Sequence, residues 1–174
     1  KANFPEGWFS KVADRIVRLE DKDGNGVADS RTLFSDHFNK PEDGIGFSVL
    51  ADEDNTVYFT CIPSVWKLTD KNDEGVADEH KKIVDGFGTR VSFIGHDLHG
   101  IIRGPDGMLY FSVGDRGYHL KDRDGKTLVG AGRGAIFRCE SDGTGLELYC
   151  GGLRNPQELA FDDYGNLFTF DNTG

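Results

Sequence analysis

The chain has 174 residues, a formal net charge of −10, and 37% hydrophobic and 29% charged residues. That is enough apolar material for a folded core, too little bias for disorder, and an acidic balance that leaves nothing to neutralise nucleic-acid phosphates. No apolar run approaches the roughly 20 residues of a membrane-spanning helix, so this stretch carries no transmembrane segment of that kind.

Taken from the start, the first clear feature is a repeat. Arg18-Leu19-Glu20-Asp21-Lys22-Asp23-Gly24-Asn25-Gly26-Val27-Ala28-Asp29 returns 49 residues later as Lys67-Leu68-Thr69-Asp70-Lys71-Asn72-Asp73-Glu74-Gly75-Val76-Ala77-Asp78. Asn55-Thr56-Val57-Tyr58-Phe59-Thr60 is matched by Gly107-Met108-Leu109-Tyr110-Phe111-Ser112 and again by Gly165-Asn166-Leu167-Phe168-Thr169-Phe170. Thr32-Leu33-Phe34, Lys82-Ile83-Val84 and Glu147-Leu148-Tyr149 form a third set. For the second unit this places strands near 44–51, 57–62, 65–69 and 81–84. No segment shows a 3.6-residue apolar period over a helix length. Short strands joined by Gly/Asp turns and repeating every ~50 residues are the pattern of β-propeller blades, so the fold class is all-β, a partial β-propeller. The units divide as a half blade at 1–38, a blade at 44–86, a blade at 96–152 and a half blade at 153–174. Residues 114–134 are an insertion in the third unit, polar and Gly-rich, and read as a loop. The beginning at Lys1 without Met and the end just past 168–170 read as those of a piece of a longer chain.

Several residue sets carry chemistry. Asp21, Asp23, Asn25, the Val27 carbonyl and Asp29 hold positions 1, 3, 5, 7 and 9 of a calcium-loop pattern, with Gly26 at position 6. Position 12 is Thr32 rather than Glu, so a Gly/Asp turn that needs no ion is the other reading. In the second copy Asn72, Glu74 and Lys81 degrade the pattern. His96 and His99 precede a Pro-Asp-Gly turn and the apolar strand at 109–113. They are either loop histidines bonded to nearby backbone or a general base, and a zinc site lacks a third ligand nearby. Cys139 and Cys150 flank one hairpin and are either a cross-strand disulfide or two small buried residues. Pro156 restricts Asn155 to an extended backbone. That sends Arg154 to a blade entrance, where its fork suits a carboxylate or bonds backbone carbonyls.

The run from His96 through Gly104-Pro105-Asp106-Gly107-Met108-Leu109-Tyr110-Phe111-Ser112-Val113-Gly114-Asp115-Arg116-Gly117, followed by Gly152-Leu153-Arg154-Asn155-Pro156-Gln157, resembles the soluble quinoprotein glucose/sorbosone dehydrogenase family. Within it, Gly95-His96-Asp97-Leu98-His99-Gly100 and the stretch after Asn155 are most similar to the large secreted bacterial proteins described as membrane-bound dehydrogenases, often with helical repeats and a c-type haem domain. The resemblance implies about three of six four-stranded blades, a pyrroloquinoline quinone (PQQ) cofactor, calcium, and oxidation of a sugar or other alcohol or aldehyde. It further implies a cytochrome c electron acceptor and a periplasmic or secreted location. His96, eight residues before the turn, matches the family's catalytic base, and Arg154 and Asn155 match its quinone contacts. Leu98-His99-Gly100-Ile101 departs from the family's Gly-Gly-Arg, which makes His99 the alternative base. The family's calcium ligands follow a point equivalent to Phe170, so residues 1–174 alone are expected to be inactive. The rival reading is a non-catalytic propeller that binds carbohydrate or protein.

Overall fold

The computed structural model describes residues 13–40, 42–89 and 95–172. These residues form fourteen strands and no helix. β1 (Asp14–Glu20) and β2 (Ser30–Phe38) make a two-stranded sheet. β3 (Gly46–Ala51), β4 (Thr56–Cys61), β5 (Ser64–Thr69) and β6 (Glu79–Asp85) make a four-stranded antiparallel meander in sequence order. β7 (Leu98–Arg103) and β8 (Leu109–Val113) join β11 (Gly134–Cys139) and β12 (Glu147–Leu153) in a second one. β13 (Pro156–Phe161) and β14 (Leu167–Asp171) pair with each other. The architecture is a partial β-propeller.

The strand patterns follow from position in a blade. A second strand is covered on both faces, and β8 is buried at every residue, as its unbroken Leu-Tyr-Phe-Ser-Val run requires. The last strand is an edge, and β12 is largely exposed. Between the two four-stranded sheets lies the main core: Tyr58, Ile62, Val65 and Phe87 against Leu98, Phe111, Val113 and Phe137. Phe111 and Phe137 stack with ring centroids 6.0 Å apart, and removing either ring would cost about 3–5 kcal/mol. A second cluster, around Ile16, Phe34, Phe59 and Leu68, joins β1–β2 to β4–β5. A third, Tyr110, Ile136 and Leu159, joins β8 and β11 to β13.

Two expectations change. The insertion at 114–134 contains a hairpin, β9 (His119–Lys121) with β10 (Thr127–Val129), rather than loop alone. Its one inward residue on β9, Leu120, joins the core beside Tyr118, which bridges to Phe87. The cysteines are all free. In the β11–β12 register Cys150 faces Ile136, not Cys139, so no cross-strand bond is available. Cys139 is buried as a small apolar residue, its thiol pushed up to about 12 by burial, whereas Cys150 is exposed.

Candidate functional site

Register builds the site. β7 and β8 pair antiparallel with Leu98 opposite Val113. Two residues further out, His96 and Asp115 face each other, and His96 Nδ1 lies 2.7 Å from Asp115 Oδ1. A carboxylate only accepts, so Nδ1 carries the proton and the imidazole's basic lone pair is on Nε2. Between them, the Asp97 carbonyl accepts from Gly114 N at 2.8 Å, and the Asp97 carboxylate pairs with Arg116. Gly114 has no room for a side chain: a Cβ there would sit 2.3 Å from Asn155 Oδ1 and 2.7 Å from the His96 carbonyl.

The next sheet supplies the remaining wall. β13 runs beside β7 at close range, because Gly100 faces it: a Cβ at Gly100 would sit 2.9 Å from the Gln157 carbonyl. Ser112 Oγ donates to that same carbonyl at 2.7 Å. Asn155, just before β13, is fully buried at 0% exposure. Its backbone N–H donates to Asp171 Oδ1 at 2.7 Å and its Nδ2 to the Gly95 carbonyl at 3.1 Å. Its Oδ1 lies 2.9 Å from His99 Nε2. His99 is 2% exposed and packs edge-on against Phe47 of β3 at 4.6 Å. Burial holds its pKa below the usual histidine value, against the opposing pull of the Asn155 bond and the Asp97 charge. Arg154 donates its backbone N–H to Asp171, and its Nη1 to the Asn172 carbonyl at 2.7 Å.

His96, His99 and Asn155 are therefore gathered at one end of the blades, with Arg154 adjoining. Three partners had no role in the sequence reading: Asp115, the Asp97–Arg116 pair, and Asp171. Asp115 was readable in principle, since it lies as far beyond β8 as His96 lies before β7. Asp171 was not, because only the β13–β14 register brings it to Arg154.

The acidic loop stands apart. Asp21, Asp23 and Asp29 converge with ligand atoms within 4.8 Å, exposed, between β1 and β2 at the far end of the strands from His96. Asn25 turns its Oδ1 to Val27 N at 2.8 Å. The Gly26 N–H above all, with Asn25 and Gly24, holds Asp21 below the usual carboxylate range. A cleft of about 670 Å³ also lies at that far end, lined by Asp52, Lys67, Glu79 and Arg103 among others. Cavity size thus does not locate the buried polar groups, which are the more demanding feature to build.

Blades with buried polar groups gathered at one end define a partial β-propeller with a histidine–carboxylate pair at its candidate site. Residues 1–174 match throughout the family described as a domain of unknown function (DUF7133), and the chain belongs to it. Among solved structures the chain is similar to the PQQ-bound form of aldose sugar dehydrogenase from Streptomyces coelicolor, at 23% identity and a TM-score of 0.57. That match covers 89% of this chain and 49% of the other, so the chain spans about half the enzyme's length, and the likeness is one of fold. A chain of a nidogen/laminin complex matches at 17% identity and a TM-score of 0.36, covering 91% of this chain and 67% of that one, too distant to argue from. No curated protein matches the chain.

Proposed function

We propose that this chain is part of a quinoprotein-type dehydrogenase that oxidises a sugar or other alcohol or aldehyde. The observation that carries the reading is the His96–Asp115 pair beside Asn155 and Arg154. The donor set suits the implied cofactor: PQQ carries three carboxylates, and the part-buried Arg154, next to Asn155, offers a guanidinium fork for one of them. When bound, the quinone supplies the two-electron acceptor. Arg154 would hold it, and Asn155, buried with its amide committed to Gly95 and His99, would fix the wall behind it rather than touch it. His96 Nε2 accepts the substrate hydroxyl's proton, and Asp115 fixes the ring's tautomer and balances the imidazolium that results. A sugar substrate agrees with the named activity of the fold neighbour. A c-type cytochrome acceptor, a periplasmic or secreted location and calcium at Asp21, Asp23, Asn25 and Asp29 belong to the same proposal and rest on the family resemblance and the loop pattern.

The test uses the full-length protein supplied with quinone and calcium. His96→Ala should lower kcat by at least about 10²-fold while cofactor binding is largely kept. Arg154→Ala should weaken quinone retention instead. Neither bound quinone nor dehydrogenase activity would leave the non-catalytic binding module as the better reading.

A further inference from the structure

We infer that His99 is a positioning residue that staples the His96 turn to the neighbouring blade through Asn155, and that it is not the base. The inference rests on the role proposed for His96.

Proton placement is forced by the partners. The Gly95 carbonyl only accepts, so the Asn155 amide nitrogen faces it, as the 3.1 Å contact shows. The amide oxygen then faces His99, so His99 Nε2 carries a proton and donates it at 2.9 Å. Nε2, already donating, cannot take a proton from a substrate, and Nδ1, which keeps the lone pair, belongs to a ring only 2% exposed to anything outside the fold. The ring is also closed in, edge-on to Phe47 and 2% exposed, with desolvation opposing its charged form.

What the bond does follows from its place. Asn155 comes from the loop before β13 and reaches two points of one turn, the Gly95 carbonyl and the His99 ring. His96 lies between those points. The two bonds cross the boundary between sheets at sequence separations of 60 and 56 residues, so the turn cannot shift without moving the Asn155 loop. Gly95 sits at φ 89°, the left-handed conformation that starts this turn. Loss of the His99 donor would leave the buried Asn155 oxygen without its partner and release one of the two anchors. A misplacement of about 1 Å at a base costs up to ~10²-fold in rate, so His99 acts on turnover only through geometry.

The experiment compares His99→Gln, whose amide N–H can stand where Nε2–H does, with His99→Leu, which fills space without a donor. In the apo full-length protein, ¹⁵N spectra should report His99 as the Nε2–H tautomer. A double-mutant cycle of His99→Leu with Asn155→Leu should show strong coupling in Tm, with each single change lowering Tm by roughly 5 °C. In the quinone-loaded protein, His99→Leu should lower kcat/KM on the order of 10²-fold, and His99→Gln should recover to within about tenfold. Both variants should keep the parent's pH–rate profile, since neither changes the His96–Asp115 pair. An Nδ1–H tautomer, absent coupling, or a dead His99→Gln variant with an altered pH–rate profile would overturn the inference. If the tautomer and coupling hold but no quinone binds, the dehydrogenase reading fails and the staple stands.

Discussion

The two ends of the blades both join neighbouring sheets through polar groups, and they do so under different conditions. At the His96 end, Asn155, His99 and Asp97 are nearly excluded from water, and their partners come from three separate segments. At the far end, Arg103 holds Asp52 and reaches Ser141, and Arg138 holds Glu147 and reaches Asp106, with all of these side chains partly exposed. Exposed pairs contribute little because water replaces what is lost, whereas a buried charge stripped of its partner has nothing to turn to. The far end is polar because it is surface. The His96 end is polar despite burial, which is why the chemistry is sought there and not in the far-end cleft.

The sharpest way to break that contrast is to remove one arginine at each end. Arg116→Ala leaves the Asp97 carboxylate buried and unpaired and should cost about 3–5 kcal/mol in denaturant unfolding. Arg103→Ala should cost about 1–2 kcal/mol, because Asp52 can turn to solvent. Equal losses would mean that the two ends do not differ in this respect.

Glycines sharpen it further. Gly114→Ala places a methyl against Asn155 and the His96 carbonyl and should cost about 2–3 kcal/mol by overpacking. Gly107, in the turn at the far end, has nothing within 4 Å of a new Cβ, and its objection is only the left-handed φ of 82°. Gly107→Ala should therefore cost about 1 kcal/mol. Thermal unfolding of both variants checks the order.

Acid should separate the ends by pH. His99 has its folded pKa lowered by burial, so the unfolded chain binds its proton first. Its contribution is present above the unfolded value of about 6.5 and is lost as pH falls from there towards the folded value. The groups that bear on the ring, Asn155, Asp97, Gly95 and Glu158, oppose that shift without reversing it. At the far end burial raises Asp52, but the Arg103 bond and charge and the Glu53 N–H outweigh it, so its pKa is lowered. That contribution holds above the unfolded value of about 3.9 and is lost only below it. Stability against pH should fall in two stages, and His99→Gln should erase the upper one alone.

The blade plan was legible because its signals are local. Tyr58 and Tyr110 recur at equivalent places and are both buried, and the Gly/Asp turns fall between apolar runs. Phe168, at the third such place, is 59% exposed, because β14 has no strand on its outer side among the described residues. The hairpin at 119–129 was not legible, since each of its three-residue strands offers a single apolar inward residue. Of the site, His96, His99 and Asn155 were singled out by residue type and motif. Their division of labour was not, because it depends on which nitrogen faces which acceptor across two sheets. The separation of Cys150 from Cys139 likewise turned on the β11–β12 register, with Arg138 opposite Glu147 and Ile136 opposite Cys150, which composition does not carry.

A last comparison lies between the acidic loops, where the chain contains its own control. The loop after β1 and the loop after β5 share a hydrogen-bonded frame. Gly26 N donates to Asp21 Oδ2 at 2.7 Å, and Gly75 N to Asp70 Oδ2 at 2.6 Å. Lys22 N donates to Asp29 at 3.4 Å, and Lys71 N to Asp78 at 2.8 Å. They differ in charge. In the second loop Asn72 stands where the first has Asp23, and its Nδ2 reaches Asp78 Oδ1 at 3.2 Å, so the loop supplies an internal donor. In the first, Asp23 and Asp29 are both carboxylates and Asp21 joins them. Calcium at tenfold its Kd should therefore stabilise the protein by about 1.4 kcal/mol, read as a Tm rise of a few degrees. Asp23→Asn, which copies the second loop, should abolish the rise, and Asp73→Ala should leave it intact. No calcium-dependent shift in the full-length protein would assign the Asp21 loop to a turn that needs no ion.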